Sequence, residues 1–186
     1  MTNTNKKTIL VTGGSGYIAV FIMIALLKKG YRVRATLRTM SRQEEVKKMM
    51  AQGGISDFTD FDFVQTDLTK EEGWSQAMTG VDSVIHVASP TPLQRPDADD
   101  LMVKMAVDGV KFVMKAAKEA GVERVVLTSA SGAVLAGHKD HPEIFTERDW
   151  TNLDAPINAY QRSKTMAEME FWKLAEAYGI EGASVL

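Results

Sequence analysis

Thr8-Ile9-Leu10-Val11-Thr12-Gly13-Gly14-Ser15-Gly16-Tyr17-Ile18-Ala19 runs on through an apolar stretch to Lys29, and Tyr31-Arg32-Val33-Arg34-Ala35-Thr36-Leu37-Arg38 follows. An apolar run, a glycine cluster, a helical pattern and a second apolar run, in that order, predict a strand, a tight turn, a helix and a parallel strand. A strand that feeds a glycine turn and then a helix N-terminus is an anion site, because unpaired backbone N–H groups and the helix dipole converge there. Gly13 suits the tight turn, Gly16 lets backbone approach a pyrophosphate, and Ala19 is small enough for helix to lie on strand. The amides around Ser15, Gly16, Tyr17 and Ile18 then face the phosphates. An ordinary glycine-rich connection is the bland reading, and the flanking strand and helix weigh against it.

Where this second strand ends, twenty-two residues beyond Gly16, a site for NAD places Asp or Glu against the ribose hydroxyls. Arg38 stands there instead. A guanidinium suits a 2′-phosphate, with Arg42 as a second contact, so NADP is expected over NAD. A solvated strand-end arginine is the alternative. Thr66-Asp67-Leu68 ends the third apolar run on the same sheet edge, where Asp67 either accepts from an adenine amino group or caps the next turn.

The same alternation continues to the end of the chain. Apolar runs lie at Thr8 to Thr12, Tyr31 to Leu37, Phe61 to Gln65, Ser83 to Val87, Arg124 to Thr128 and Gly182 to Leu186. Helical patterns separate them at Tyr17 to Lys29, Arg42 to Ala51, Glu72 to Met78, Asp99 to Ala120 and Asn158 to Tyr178. Six strands alternating with helices predict one α/β domain over residues 1–186, a doubly wound parallel sheet of the Rossmann type in three layers. The final run reaches Leu186 with no turn residue after it, so the sequence reads as stopping where a substrate-covering lobe is expected to begin.

Composition narrows the partners. The 186 residues are 45% hydrophobic, enough for a sizeable core, and the formal net charge of −2 offers no basic excess for nucleic acid or an anionic membrane. With no cysteine there is neither disulfide nor thiolate metal site. The first apolar run is too short for a signal peptide or a membrane span, which leaves a soluble, cytoplasmic protein as the expectation. His138, His141 and Glu143 form the one group that invites a metal, but nothing completes a ligand set, so no metal is expected. His86 sits inside an apolar run and reads as a satisfied structural histidine.

Tyr160-Gln161-Arg162-Ser163-Lys164 sets a phenol and an ammonium four residues apart, about 6 Å along one helix face. Such an ammonium lowers the phenol's pKa and fits it for proton transfer, although an isolated pair of this kind is usually plain helix surface.

Taken with the glycine turn, this pair resembles the extended short-chain dehydrogenase/reductase family, marked by T-G-x-x-G-x-x-G/A and Y-x-x-x-K. The resemblance spans the chain. Val33 to Arg38, Val84-Ile85-His86-Val87-Ala88-Ser89-Pro90 and Arg124 to Ser129 are similar to dihydroflavonol reductase-like members and bacterial aldehyde or ketone reductases. It implies an NADP-dependent reduction of a ketone or aldehyde to an alcohol, with Tyr160 as general acid and Lys164 holding the nicotinamide ribose. It also implies Val87, Ala88 and Ser89 passing under the cofactor, Thr128 and Ser129 beside the nicotinamide, and dimerisation through helices 99–120 and 158–178. The family's substrate-orienting serine usually follows Thr-Ser directly, yet Ala130 occupies that position; Ser131 is favoured as its substitute, with Ser129 the alternative. A sugar-nucleotide epimerase or dehydratase using NAD shares the same marks, and a non-catalytic or truncated dinucleotide-binding module is the third reading.

Overall fold

The computed structural model describes residues 6–90, 98–139 and 144–186. Six parallel strands form one sheet: β1 (Thr8–Val11), β2 (Arg32–Leu37), β3 (Phe61–Gln65), β4 (Ser83–His86), β5 (Arg124–Thr128) and β6 (Glu181–Val185). Their spatial order is β3-β2-β1-β4-β5-β6. Among the described residues, five α-helices connect them: α1 (Tyr17–Lys28), α2 (Gln43–Gln52), α3 (Trp74–Met78), α4 (Ala98–Glu119) and α5 (Ala159–Tyr178). This is the doubly wound architecture that the alternating pattern predicts, and the direction in which successive strands are added to the sheet reverses between β1 and β4.

All four residues of β1 are buried, as a central strand covered on both faces requires. Leu10 points into a core shared with α3, α4 and α5, where Trp74, Met114 and Phe171 are enclosed. Ile9 and Val11 point the other way, into a core with α1 and α2 that includes Met23, Val33 and Met50. The period of two along one strand therefore feeds two separate apolar layers.

Element ends differ from the sequence reading by a residue or two, each for a local reason. The fourth strand stops at His86 rather than Val87, because the amides of Val87 and Ala88 turn toward the Thr12 hydroxyl. Helix α3 begins at Trp74, not Glu72, because Gly73 is left-handed at φ 88°. A short 3₁₀ turn at Met40–Arg42 precedes α2, so Arg42 lies before the helix. Asn158 is the cap of α5 and not its first residue: its side chain accepts from the Gln161 amide, and the Gln161 side chain accepts from the Asn158 amide. That reciprocal pair fixes where α5 starts and so puts Tyr160 in its first turn.

Phe171 is 1% exposed and joins α5 to the α3/α4 layer. Phe171→Ala is expected to lower unfolding free energy by about 3 to 5 kcal/mol, read as a reduced urea midpoint.

Candidate cofactor and catalytic site

The chain's glycine turn is fastened on both sides. On the β2 side, the Gly13 amide donates to the Thr36 hydroxyl at 3.1 Å and the Gly14 amide to the Thr36 carbonyl at 2.8 Å. On the β4 side, Gly13 (φ 70°) lies so close to Ala88 that an added Cβ would stand 3.0 Å from its Cα; on Gly14 it would stand 2.8 Å from the Ala35 Cβ. Neither position admits a side chain, and Gly13 also needs a backbone that L-residues avoid. Helix α1 then begins with Gly16 as its cap, with no side chain on the cap and no acid in the first turn. The positive helix end is left facing the cleft, a fit for phosphate.

A second fastening lies directly behind. The Thr12 hydroxyl accepts from the amides of Val87 at 3.0 Å and Ala88 at 2.9 Å, and lies 2.8 Å from His86 Nδ1. A hydroxyl has two lone pairs and one proton, so with both lone pairs taken its proton goes to the ring. His86 is therefore neutral, with Nδ1 accepting and the proton on Nε2. Burial first, and the charge of Lys164 second, push its pKa down to about 3. The structural reading of His86 holds, and the ring anchors the turn between β1 and β4.

These contacts open a cleft of about 590 Å³ at the carboxyl edge of the sheet. Gly13, Ser15, Gly16, Tyr17 and Ile18 line it from the turn, and Arg38 from the end of β2. Asp67 and Leu68 line it beyond β3, with Val87, Ala88 and Ser89 beyond β4. The adenine and capping readings of Asp67 are compatible in space, since its carboxylate accepts from the Thr69 amide and hydroxyl, both at 2.9 Å, at the cleft wall. Burial raises its pKa, but Thr69 and the nearby Arg38 outweigh burial and leave it lowered. Arg38 is exposed at the rim, whereas Arg42 also lines the cleft but forks onto Glu45 at 2.7 and 2.8 Å. Thr36 and Thr66 join the lining from the quoted strand-end stretches, and Thr39, Trp74 and Met105 join it without having been marked by any motif.

Thr128, Ser129 and Lys164 lie next to that cleft, around a small internal space that Ala88 and Ser89 share. Lys164 is 8% exposed and donates to the Thr128 carbonyl at 3.2 Å. Burial pushes its pKa below the usual lysine range, and the charge of Glu168 opposes this. Tyr160, one turn earlier on α5, is 39% exposed and does not line the cleft. The two candidate serines differ in kind. Ser129 is buried and donates its hydroxyl to Glu168, while Ser131 is exposed at the head of a 3₁₀ turn. Thr151 secures that turn through bonds to the Gly132 carbonyl and the Ala136 amide. Gly132 in turn lies against Gln161, which brings the Ser131 turn beside the first turn of α5.

Of the metal reading, His138 pairs with the Val134 carbonyl, and His141 and Glu143 lie outside the described residues. The loop after Pro90, as far as Asp97, also lies outside them. Among the described residues, no helix is long and apolar enough to cross a membrane.

A parallel sheet with a phosphate-ready turn at its switch point and a buried lysine one turn beyond a tyrosine defines a dinucleotide-binding class of domain. The chain belongs to the NAD dependent epimerase/dehydratase family, which it matches over residues 9–186. It is 35% identical to anthocyanidin reductase of Vitis vinifera over 97% of its length and 55% of that protein's. It is 37% identical to cinnamoyl-CoA reductase 1 of Arabidopsis thaliana, over 94% and 50%. Among solved structures, yeast methylglyoxal/isovaleraldehyde reductase complexed with NADPH superposes with a TM-score of 0.80 at 27% identity, covering 95% of this chain and 56% of that one. The chain thus spans about half the length of the curated relatives it matches.

His86 supplies a check on the anchor. Its folded pKa of about 3 lies below the ordinary 6.5, so its contribution to stability is complete above pH 6.5 and is lost as pH falls toward 3. Full loss is of the order of 5 kcal/mol. His86→Gln is expected to flatten the fall in thermal midpoint between pH 7 and pH 4, measured by calorimetry.

Proposed function

We propose that this chain forms the NADP-binding and proton-donating part of a carbonyl reductase that converts a ketone or aldehyde to an alcohol. The observation that carries the reading is Arg38 at the cleft rim, on the strand end where an NAD site has an acid, beside a helix start with no competing acid. The NADPH complex of the yeast relative and the reductase names of the plant relatives support it. The residues fit a dinucleotide: the Gly13–Ile18 turn for the pyrophosphate, Arg38 for the 2′-phosphate, Asp67 and Leu68 for the adenine side, and Val87, Ala88, Ser89 and Thr128 toward the nicotinamide. Arg38 in place of an acid disfavours the NAD-dependent epimerase reading.

When bound, the nicotinamide supplies the hydride. Tyr160 holds the proton at its phenol oxygen and delivers it to the carbonyl oxygen of the substrate, which becomes the alcohol. Lys164, buried one turn on, orients the ribose and presents its positive charge to the phenol. Ser131, on the turn held by Thr151, donates a hydrogen bond to the same carbonyl oxygen, since the Ser129 proton is committed to Glu168. Pairing of two copies through α4 and α5 belongs to the same proposal, with Met166, Met169 and Trp172 as partly exposed residues of α5.

Thermal stabilisation by NADPH is expected to exceed that by NADH at equal concentration, and Arg38→Ala is expected to abolish the difference. Equal shifts in the unaltered protein would remove the case for NADP. With an activated carbonyl and NADPH, Tyr160→Phe is expected to lower turnover by about 10²-fold or more at unchanged NADPH affinity. Cofactor binding with no oxidation of NADPH by any carbonyl tested points instead to a binding module.

A further inference from the structure

A carboxylate the proposed reaction does not use lies behind the lysine. Glu168 is 6% exposed, one turn beyond Lys164 on α5, and a buried carboxylate needs donors. It has two: the Ser129 hydroxyl, from the end of β5, and the Trp172 indole at 3.3 Å, from the next turn of α5. Lys164, equally buried, has one hydrogen bond among the described residues, to the neutral Thr128 carbonyl.

The surroundings of that ammonium hold little else that is charged. β4 contributes His86, which is neutral; β5 contributes Leu127 and Thr128; α4 contributes Ala106 and Val110. From α5 comes Ala167, and the charge of Glu168 acts on the ammonium from the next turn. Among the described residues around it, Glu168 carries the one negative charge.

We propose that Glu168 is a positioning residue that serves as the buried counter-charge of Lys164 and, by gripping Ser129, fixes the lysine-bearing turn of α5 against the end of β5. The Glu168 charge opposes the effect of burial on Lys164. Holding the Ser129 hydroxyl also keeps it away from substrate, which leaves the orienting role to Ser131. This inference rests on the reading of Lys164 as a cofactor-holding residue, but its test does not need the cofactor.

The experiment is an NMR titration of the full chain labelled with ¹³C at the lysine ε-carbons, Lys164 being assigned from the signal missing in Lys164→Met. In the unaltered protein, Lys164 is expected to stay protonated through neutral pH. Glu168→Gln is expected to lower its midpoint by about one pH unit or more, as loss of an adjacent opposite charge does. Glu168→Asp is expected to restore most of the shift, and Ser129→Ala, which keeps the charge, to leave the midpoint in place. A purely structural Glu168 would reduce stability in Glu168→Gln and leave the midpoint unmoved, and that result overturns the proposal. If Glu168→Gln does not fold, the unaltered protein decides: a Lys164 already neutral at pH 7 overturns it, and one still protonated at pH 7 upholds it. The alkaline limb of NADPH affinity is expected to move with the midpoint. Failure of NADPH to bind would sink the functional reading while leaving the titration standing.

Discussion

The structure depends on how closely three strands crowd one turn. Gly13 and Gly14 pass between Ala35 of β2 and Ala88 beyond β4 with no room for a Cβ, and Thr36 and Thr12 hold the turn from either side. Everything functional follows from that narrowness. The backbone rather than side chains forms the floor, so the N–H groups at the start of α1 reach the cleft directly. His86 belongs to the same constraint: with no bulk in the turn, a ring from β4 can reach the Thr12 hydroxyl and accept its proton.

The order of strands and helices was legible because each element carries its own periodicity, and the glycine turn because its steric demand falls on consecutive residues. Phe61–Gln65 and Arg124–Thr128 coincide with their apolar runs. Boundaries slipped where a tertiary contact took the backbone away, as at Val87, or where a left-handed glycine intervened, as at Gly73.

Trp74 and Met105 were hidden for another reason. They meet Thr36 and Thr66 in the cleft only because parallel pairing sets Leu37 opposite Gln65 and because α3 packs on α4, and no local spacing encodes those meetings. Glu168 was the deepest omission. A glutamate in mid-helix reads as solvated, and its burial becomes visible only when Ser129 arrives from a strand nearly forty residues earlier. Thr12 carried a usable signal, being the hydroxyl residue between β1 and the glycines, but its partners lie some 75 residues away.

Because the turn is bonded to β2 and β4 before any ligand arrives, its amides lose little conformational freedom on binding. The ordering cost was met when the sheet formed, and a dinucleotide settling there gives up chiefly its own flexibility. The exposed rim is a different case: Arg38 has rotamers to lose, and Arg42 has Glu45 to release. On the proposed reading, affinity for the shared pyrophosphate is set by a rigid body and discrimination at the 2′ position by exposed cations, so the second weakens with ionic strength more steeply than the first.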